Sequence, residues 1–334
     1  MYKDRIDLYQ KIQDIRDSTL ITYITGDRPG LETQIHSEVL QFFTEHLDKI
    51  KYSPKISLYL YTRGGETLAA WSIAHLIRQF CDDFEVLIPS KAHSAGTLIC
   101  LGACDIVMTK QATLGPIDPS VNTPLNPPVP GGPPEARIPV SVEAINGFIE
   151  LIKQTGIDSS EDLAKVMSNL TSYVHPLVLG EVYRTRSQIR MLGKRLLSKQ
   201  MDDGDKIEKI LDFLCSESGS HDYTIYRQEA RDGLGLKVSR PDDALYDIMK
   251  KIYDDISDEL KLTEHYYPEI MLGDKKSCDY EFKRLLIETV AGGSHKFVSV
   301  GQLSKTENVD KKTHVTTKTI NDHRAFEGWK HESL

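Results

Sequence analysis

Two short segments carry residue types and spacings that could do chemistry. The first is Ser94 in KAHSAGTLICLGA (91–103), where a β-branched run, FEVLIPS (84–90), gives way to small and apolar residues. A serine at a strand-to-helix junction sits at the positive end of the helix dipole, and Ala95 and Gly96 leave room for a substrate carbonyl. Such a serine is either a nucleophile or an ordinary N-cap, a position serine favours in any helix. The second is Gly64-Gly65 in ISLYLYTRGGE (56–66). Two glycines between a strand and a helix can aim backbone N–H groups at a developing oxyanion, worth roughly 3–4 kcal/mol. They can equally supply the φ freedom of a tight turn. The two segments end consecutive predicted strands, so a nucleophile and oxyanion donors would be neighbours, the arrangement acyl transfer requires.

The elements that must position them read as strand–helix alternation. Residues 1–17 form an amphipathic helix and TLITYIT (19–25) a strand. A helix is expected over 32–48, strands over 56–62, 84–90 and 105–109, and helices over 66–80 and from about Ser94 to Cys104. Repeated strand–helix units imply parallel strands with right-handed crossovers, whose sites collect at the strand C-terminal ends. TPLNPPVPGGPPEARIP (123–139) excludes a regular helix or central strand and reads as a loop beside the site or a linker. Helices follow over 141–155, 160–170, 176–200 and 205–217, then an extended segment at 221–225 and helices over 226–232 and 241–262. The tail, roughly 279–328, is β-rich. The fold class is α/β, with a helical middle and a β-rich C-terminal extension. The domain reading is 1–240 for the core and 241–334 for the extension, as an oligomerisation element.

Composition excludes some function classes. Acids outnumber bases 49 to 41, giving a formal net charge of −8, which argues against a general polyanion-binding surface and so against nucleic acid. Arg184, Arg186, Arg190, Lys194 and Arg195 read as the solvated face of a helix. The five cysteines form no CxxC pair and lack partners for a zinc site, so no metal is expected and the thiols read as buried and reduced. No Gly-x-Gly-x-x-Gly follows a strand, so no nicotinamide fingerprint is visible. The first residues lack the apolar core of a signal peptide, and no run of ~20 apolar residues occurs. With reduced thiols, these point to the cytoplasm; docking to a membrane protein stays open.

The succession TLITYIT, ISLYLYTRGGE, EVLIPSKAHSAGTLICLGACDIVMT resembles the proteolytic subunit of Clp protease and signal peptide peptidase A. With HSAGT, LGPIDPS (114–120), HPLVLG (175–180) and SHDYTIYRQEA (220–230), it is most similar to the Clp-fold serine dehydrogenase proteinases, over about residues 18–236. The resemblance implies a Clp/crotonase fold and peptide-bond hydrolysis without metal, nucleotide or other cofactor. It also implies a homo-oligomer acting on peptide or protein substrates. It maps Ser94 to the nucleophile, Gly64-Gly65 to oxyanion binding and the Ala95 N–H to a second donor. The general base does not transfer: the register of the Clp histidine lands near Asp118, and the region of the peptidase lysine (135–143) holds Arg137, which stays protonated.

His221, beside Asp222, which aligns with the Clp acid, suits general-base work near neutral pH. Adjacent strand residues point to opposite faces, however. Asp118 would orient a partner or shape its loop. His93, Lys110, Lys153 and His175 are alternative bases. If there is no base at all, the chain is a catalytically silent scaffold. A crotonase-type acyl-CoA enzyme is a third reading, without a CoA signature to support it.

Overall fold

The computed structural model describes residues 1–333 apart from 118–119, 158, 218–219, 221 and 310–315. Along the chain run α1 (Tyr2–Arg16), β1 (Thr19–Thr25), α2 (Val39–Ile50), β2 (Lys55–Tyr61), α3 (Thr67–Ile77), β3 (Asp83–Ile88), β4 (Lys91–Ala92), α4 (Ala95–Leu101) and β5 (Asp105–Met108). Short strands β6 (Thr113–Leu114), β7 (Ser120–Val121) and β8 (Val140–Ser141) precede four helices, α5 (Val142–Gln154), α6 (Ser160–Leu170), α7 (Pro176–Leu197) and α8 (Gly204–Asp212). Then come β9 (Ile225–Tyr226), β10 (Val238–Ser239), α9 (Asp243–Leu260), α10 (Pro268–Leu272), β11 (Ser277–Thr289), β12 (Gly293–Val309) and β13 (Thr316–Glu332).

One eight-stranded sheet organises the molecule, in the order β10-β5-β3-β2-β1-β11-β12-β13. Its first five strands pair in parallel, the last three antiparallel. The parallel strands are buried almost end to end because helices cover both faces. Ile21, Leu58, Val86 and Ile106 face a core shared with α2, α3, α4, α7 and α8, whereas Leu20, Tyr59, Leu87 and Val107 face α1 and α9. The chain is thus an α/β protein, with its β-rich tail running into the main sheet: β11 lies antiparallel to β1, Tyr23 opposite Ile287.

Two expectations fail at their boundaries. The helix expected from 32 begins at Val39, because Ile35 instead donates its N–H to Gly64 O (2.8 Å) and accepts Glu66 N–H (2.8 Å). Among the described residues of the extended segment 221–225, only Ile225 joins a strand, Ile225–Tyr226, and the helix expected over 226–232 runs over 227–233, with Glu229–Gly233 as a π turn. The Pro/Gly-rich loop is pinned by a bridge between Pro128 and Arg137 and by Asn126, whose amide reaches the carbonyls of Val121 and Ile138. Cys81, Cys100 and Cys215 are buried thiols, but Cys104 and Cys278 are half-exposed. Part of the basic face of α7 is matched by acids of α8: Arg190 pairs with Glu208 and Asp212, and Lys194 with Glu208.

Candidate active site

Ser94 lies between β4 and α4, in the N-cap position, yet its side chain does not cap the helix. Its backbone has φ 51° and ψ −115°, a conformation non-glycine residues rarely adopt and one that costs of order 1–3 kcal/mol. The strain is imposed on both sides. Upstream, β4 is locked to the end of β2: Thr62 N–H donates to Lys91 O (3.1 Å) and His93 N–H to Thr62 O (3.1 Å). Downstream, Thr97, fully buried, lies 2.8 Å from the carbonyls of both Ala92 and Gly115 and accepts the Gly115 N–H at 3.1 Å. One threonine therefore ties the turn before the helix to the loop after β6. Gly96 is required by close approach, since a Cβ there would meet Thr62 Cγ2 at 2.4 Å.

Gly64 and Gly65 follow β2 with φ 117° and 144°, a region that only glycine enters freely. Gly64 packs directly on the serine: a Cβ there would stand 2.7 Å from Ser94 Cβ and 3.2 Å from Ser94 Oγ. Its N–H is engaged, donating to Thr62 Oγ1 at 3.0 Å. Gly65 differs. Ile35 bonds to Gly64 O and Glu66 N–H in a parallel bridge, and in that pattern the residue between them turns its own N–H to the opposite side. Ile35 follows β1, and the opposite side is that of β3 and β4, where Ser94 lies. The Ala95 N–H starts α4, and Ala95 is nearly buried.

Beside the serine opens a cleft of about 460 Å³ lined by Asp27, Arg63, Lys91, His93 and Asp222 among others. His93 Nε2 is 2.8 Å from Thr113 Oγ1. Lys91 is bound to Asp27, which also holds Arg63 (3.2 Å) and the Tyr61 hydroxyl (2.9 Å). Asp222 is exposed on the cleft wall. Asp118 and His221 lie outside the described residues. The strands that flank them are paired, Thr113 opposite Tyr226 and Leu114 opposite Ile225. Asp118 is four residues beyond Leu114, and His221 four residues before Ile225.

The other candidate bases stand in different company. Lys110 lies over the Tyr246 ring, Lys153 pairs with Glu150 on α5, and His175 caps α7 by accepting the Leu177 N–H. Sequence reasoning missed Thr62 and Thr97, the residues that hold Gly64 and Ser94 in place. A threonine inside an otherwise small and apolar helix start was the available signal for Thr97. Among the described residues, no group of three or more His, Cys, Asp or Glu side chains could hold a metal ion, and no helix is long and apolar enough to cross a membrane.

A strained serine thus lies at a parallel-strand tip, packed against the first of two glycines. Residues 1–129 match the ClpP-like SDH-type serine proteinase family, and over that stretch, which holds both Ser94 and Gly64-Gly65, the resemblance read from the sequence is shown. An uncharacterized protein of Methanocaldococcus jannaschii is 27% identical over 256 residues, covering 74% of this chain and 77% of that protein. A second uncharacterized protein of that organism is 39% identical over 80 residues, 23% of this chain and 27% of that protein. Among solved structures, the 1510-N membrane-bound stomatin-specific protease is similar with a TM-score of 0.40 and 16% identity, over 68% of this chain and 82% of that one. ClpP1 from Listeria monocytogenes is similar with a TM-score of 0.35 and 17% identity, over 71% and 99%.

Proposed function

We propose that the chain is an ATP-independent serine peptidase that cleaves peptide bonds through Ser94, with no metal or other cofactor. One observation carries the reading: Ser94 is held in a strained turn, its hydroxyl uncommitted to the helix it precedes and pressed against Gly64. Ser94 Oγ attacks the scissile carbonyl carbon while a general base takes its proton. The carbonyl oxygen, now anionic, accepts hydrogen bonds from the N–H groups of Gly65 and Ala95, with Gly64 setting the distance between glycine strand and serine. Collapse of the tetrahedral intermediate breaks the C–N bond, and the base returns the proton to the leaving amine. Water, deprotonated by the same base, then releases the acyl group and restores the serine.

We assign the base to His221 and its orientation to a carboxylate, Asp118 or Asp222. Asp222, the next residue in the sequence, lines the cleft together with His93, which supports a base from this segment. Among the described residues, no side chain forms a hydrogen bond with Ser94 Oγ. That favours one second reading, a silent peptide-binding scaffold on the same fold.

A fluorophosphonate probe separates the two. An adduct located on Ser94 by mass spectrometry, absent in Ser94→Ala and lost or strongly slowed in His221→Ala, is expected. Folded protein that takes no label would overturn the peptidase reading in favour of the scaffold.

A further inference from the structure

A second cavity, of about 540 Å³, opens on the far side of the loop that follows β1. That size is within the range of small-ligand sites. Tyr266, Met271 and Phe282 give it an apolar wall, and Ile270, 76% exposed, stands at its rim. Most of its charges are already matched: Lys261 pairs with Glu264 (3.0 Å), Lys283 with Glu259 (2.7 Å) and Arg284 with Glu327 (3.1 Å).

Arg28 is the exception. Its guanidinium lies over two rings, 5.5 Å from the centroid of Tyr266 and 5.3 Å from that of Phe282. Its Nε donates to Glu264 O at 3.1 Å. Among the described residues no carboxylate is within ion-pair distance of it, and neither terminal nitrogen makes a hydrogen bond. The two rings, set edge to face, and the Nε bond hold the guanidinium in place. The edge that remains is the fork that binds a carboxylate through two parallel hydrogen bonds.

We propose that this cavity binds the free C-terminal carboxylate of a peptide, with the carboxylate on Arg28 and an apolar last side chain against Met271, Phe282 and Ile270. That the carboxylate belongs to a peptide rests on the peptidase reading above; the preference for a carboxylate beside an apolar group rests on the cavity alone. The site is one residue away from the cleft. Arg28 faces the cavity, and its neighbour Asp27 holds Lys91 and Arg63 in the wall beside His93. A peptide anchored here is tethered beside the cleft that His93 lines.

The test uses Ser94→Ala protein, so that binding is read without turnover. N-acetyl-alanyl-leucine as the free acid and as its C-terminal amide are titrated by calorimetry. The acid should bind about tenfold or more tighter than the amide. Arg28→Gln should remove that difference, and Ile270→Asp, a change at an exposed position, should weaken the acid with the thermal midpoint unchanged. Equal affinity for acid and amide, or no binding of the acid at about 10 mM, would overturn the proposal; so would an acid preference that survives both substitutions. If Arg28→Gln does not fold, the acid–amide comparison and Ile270→Asp decide. Failure here leaves Ser94 labelling untouched. Failure of labelling with acid-selective binding intact would remove the peptidase reading and keep the carboxylate site.

Discussion

At Ser94 the backbone stores strain that Thr62, Thr97 and the adjoining glycines hold in place, and the expected consequences are residue-specific. Gly64→Ala would drive a methyl group to 2.7 Å from Ser94 Cβ at a φ of 117°. It should abolish probe labelling, with a stability loss of about 1–3 kcal/mol that leaves the fold intact by circular dichroism. Thr97→Val keeps the volume but leaves the Gly115 N–H without its acceptor, costing about 1–3 kcal/mol. Because Gly115 leads towards Asp118, the labelling rate should fall further than the urea midpoint implies. Elsewhere, burial next to His295 and His331 pushes His46 down to about 3. Its folded pKa lies below the unfolded value near 6.5, so between those limits the unfolded chain binds the extra proton and stability rises with pH. From pH 6 to pH 4 the unfolding free energy should drop by up to about 1.4 kcal/mol per pH unit from this group, and His46→Gln should flatten that slope in urea titrations.

At the scale of elements, the tail is held by a buried charge network. Arg5 on α1 is fully buried, and its guanidinium meets Glu288 of β11, also fully buried, at 2.6 Å, with Glu259 of α9 at 2.7 Å. Glu288→Ala leaves Arg5 with Glu259 and Asp255 alone and removes its hydrogen bonds to Glu288, which should cost about 1–3 kcal/mol, read as a lower thermal midpoint. Much of this architecture was legible in the sequence. The alternation TLITYIT, ISLYLYT, FEVLIPS identified three parallel strands, and their shared C-terminal edge placed Gly64 beside Ser94 before any coordinates. What misled was local periodicity competing with long-range pairing. Residues 32–38 read as helix because Ile35, Val39 and Phe42 repeat at helical spacing, yet Ile35 spends its backbone bonds on Gly64 and Glu66. That the tail joins β1 was also invisible, since no periodicity records which edge a distant strand will choose. The general base was the least legible part, because a histidine's reach depends on a loop path that spacing alone does not define.

At the scale of the whole molecule, the order of the sheet is not the order of the chain. β1 has β2 on one side, joined through a single helix, and β11 on the other, where Thr22 meets Glu288 after almost the entire sequence has passed. Removing β11–β13 should therefore yield insoluble protein, since Leu285, Leu286 and Ile287 belong to the two main cores and β1 would become an apolar edge. Sedimentation of a chain ending at 276 checks this. The same topology has a consequence in time. At a synthesis rate of about 5–20 residues per second, β1 emerges from the ribosome roughly ten to fifty seconds before its second neighbour exists. For that interval a strand that ends up buried along almost its whole length waits with one flank unpaired, so the nascent chain should need shielding until its last strands arrive.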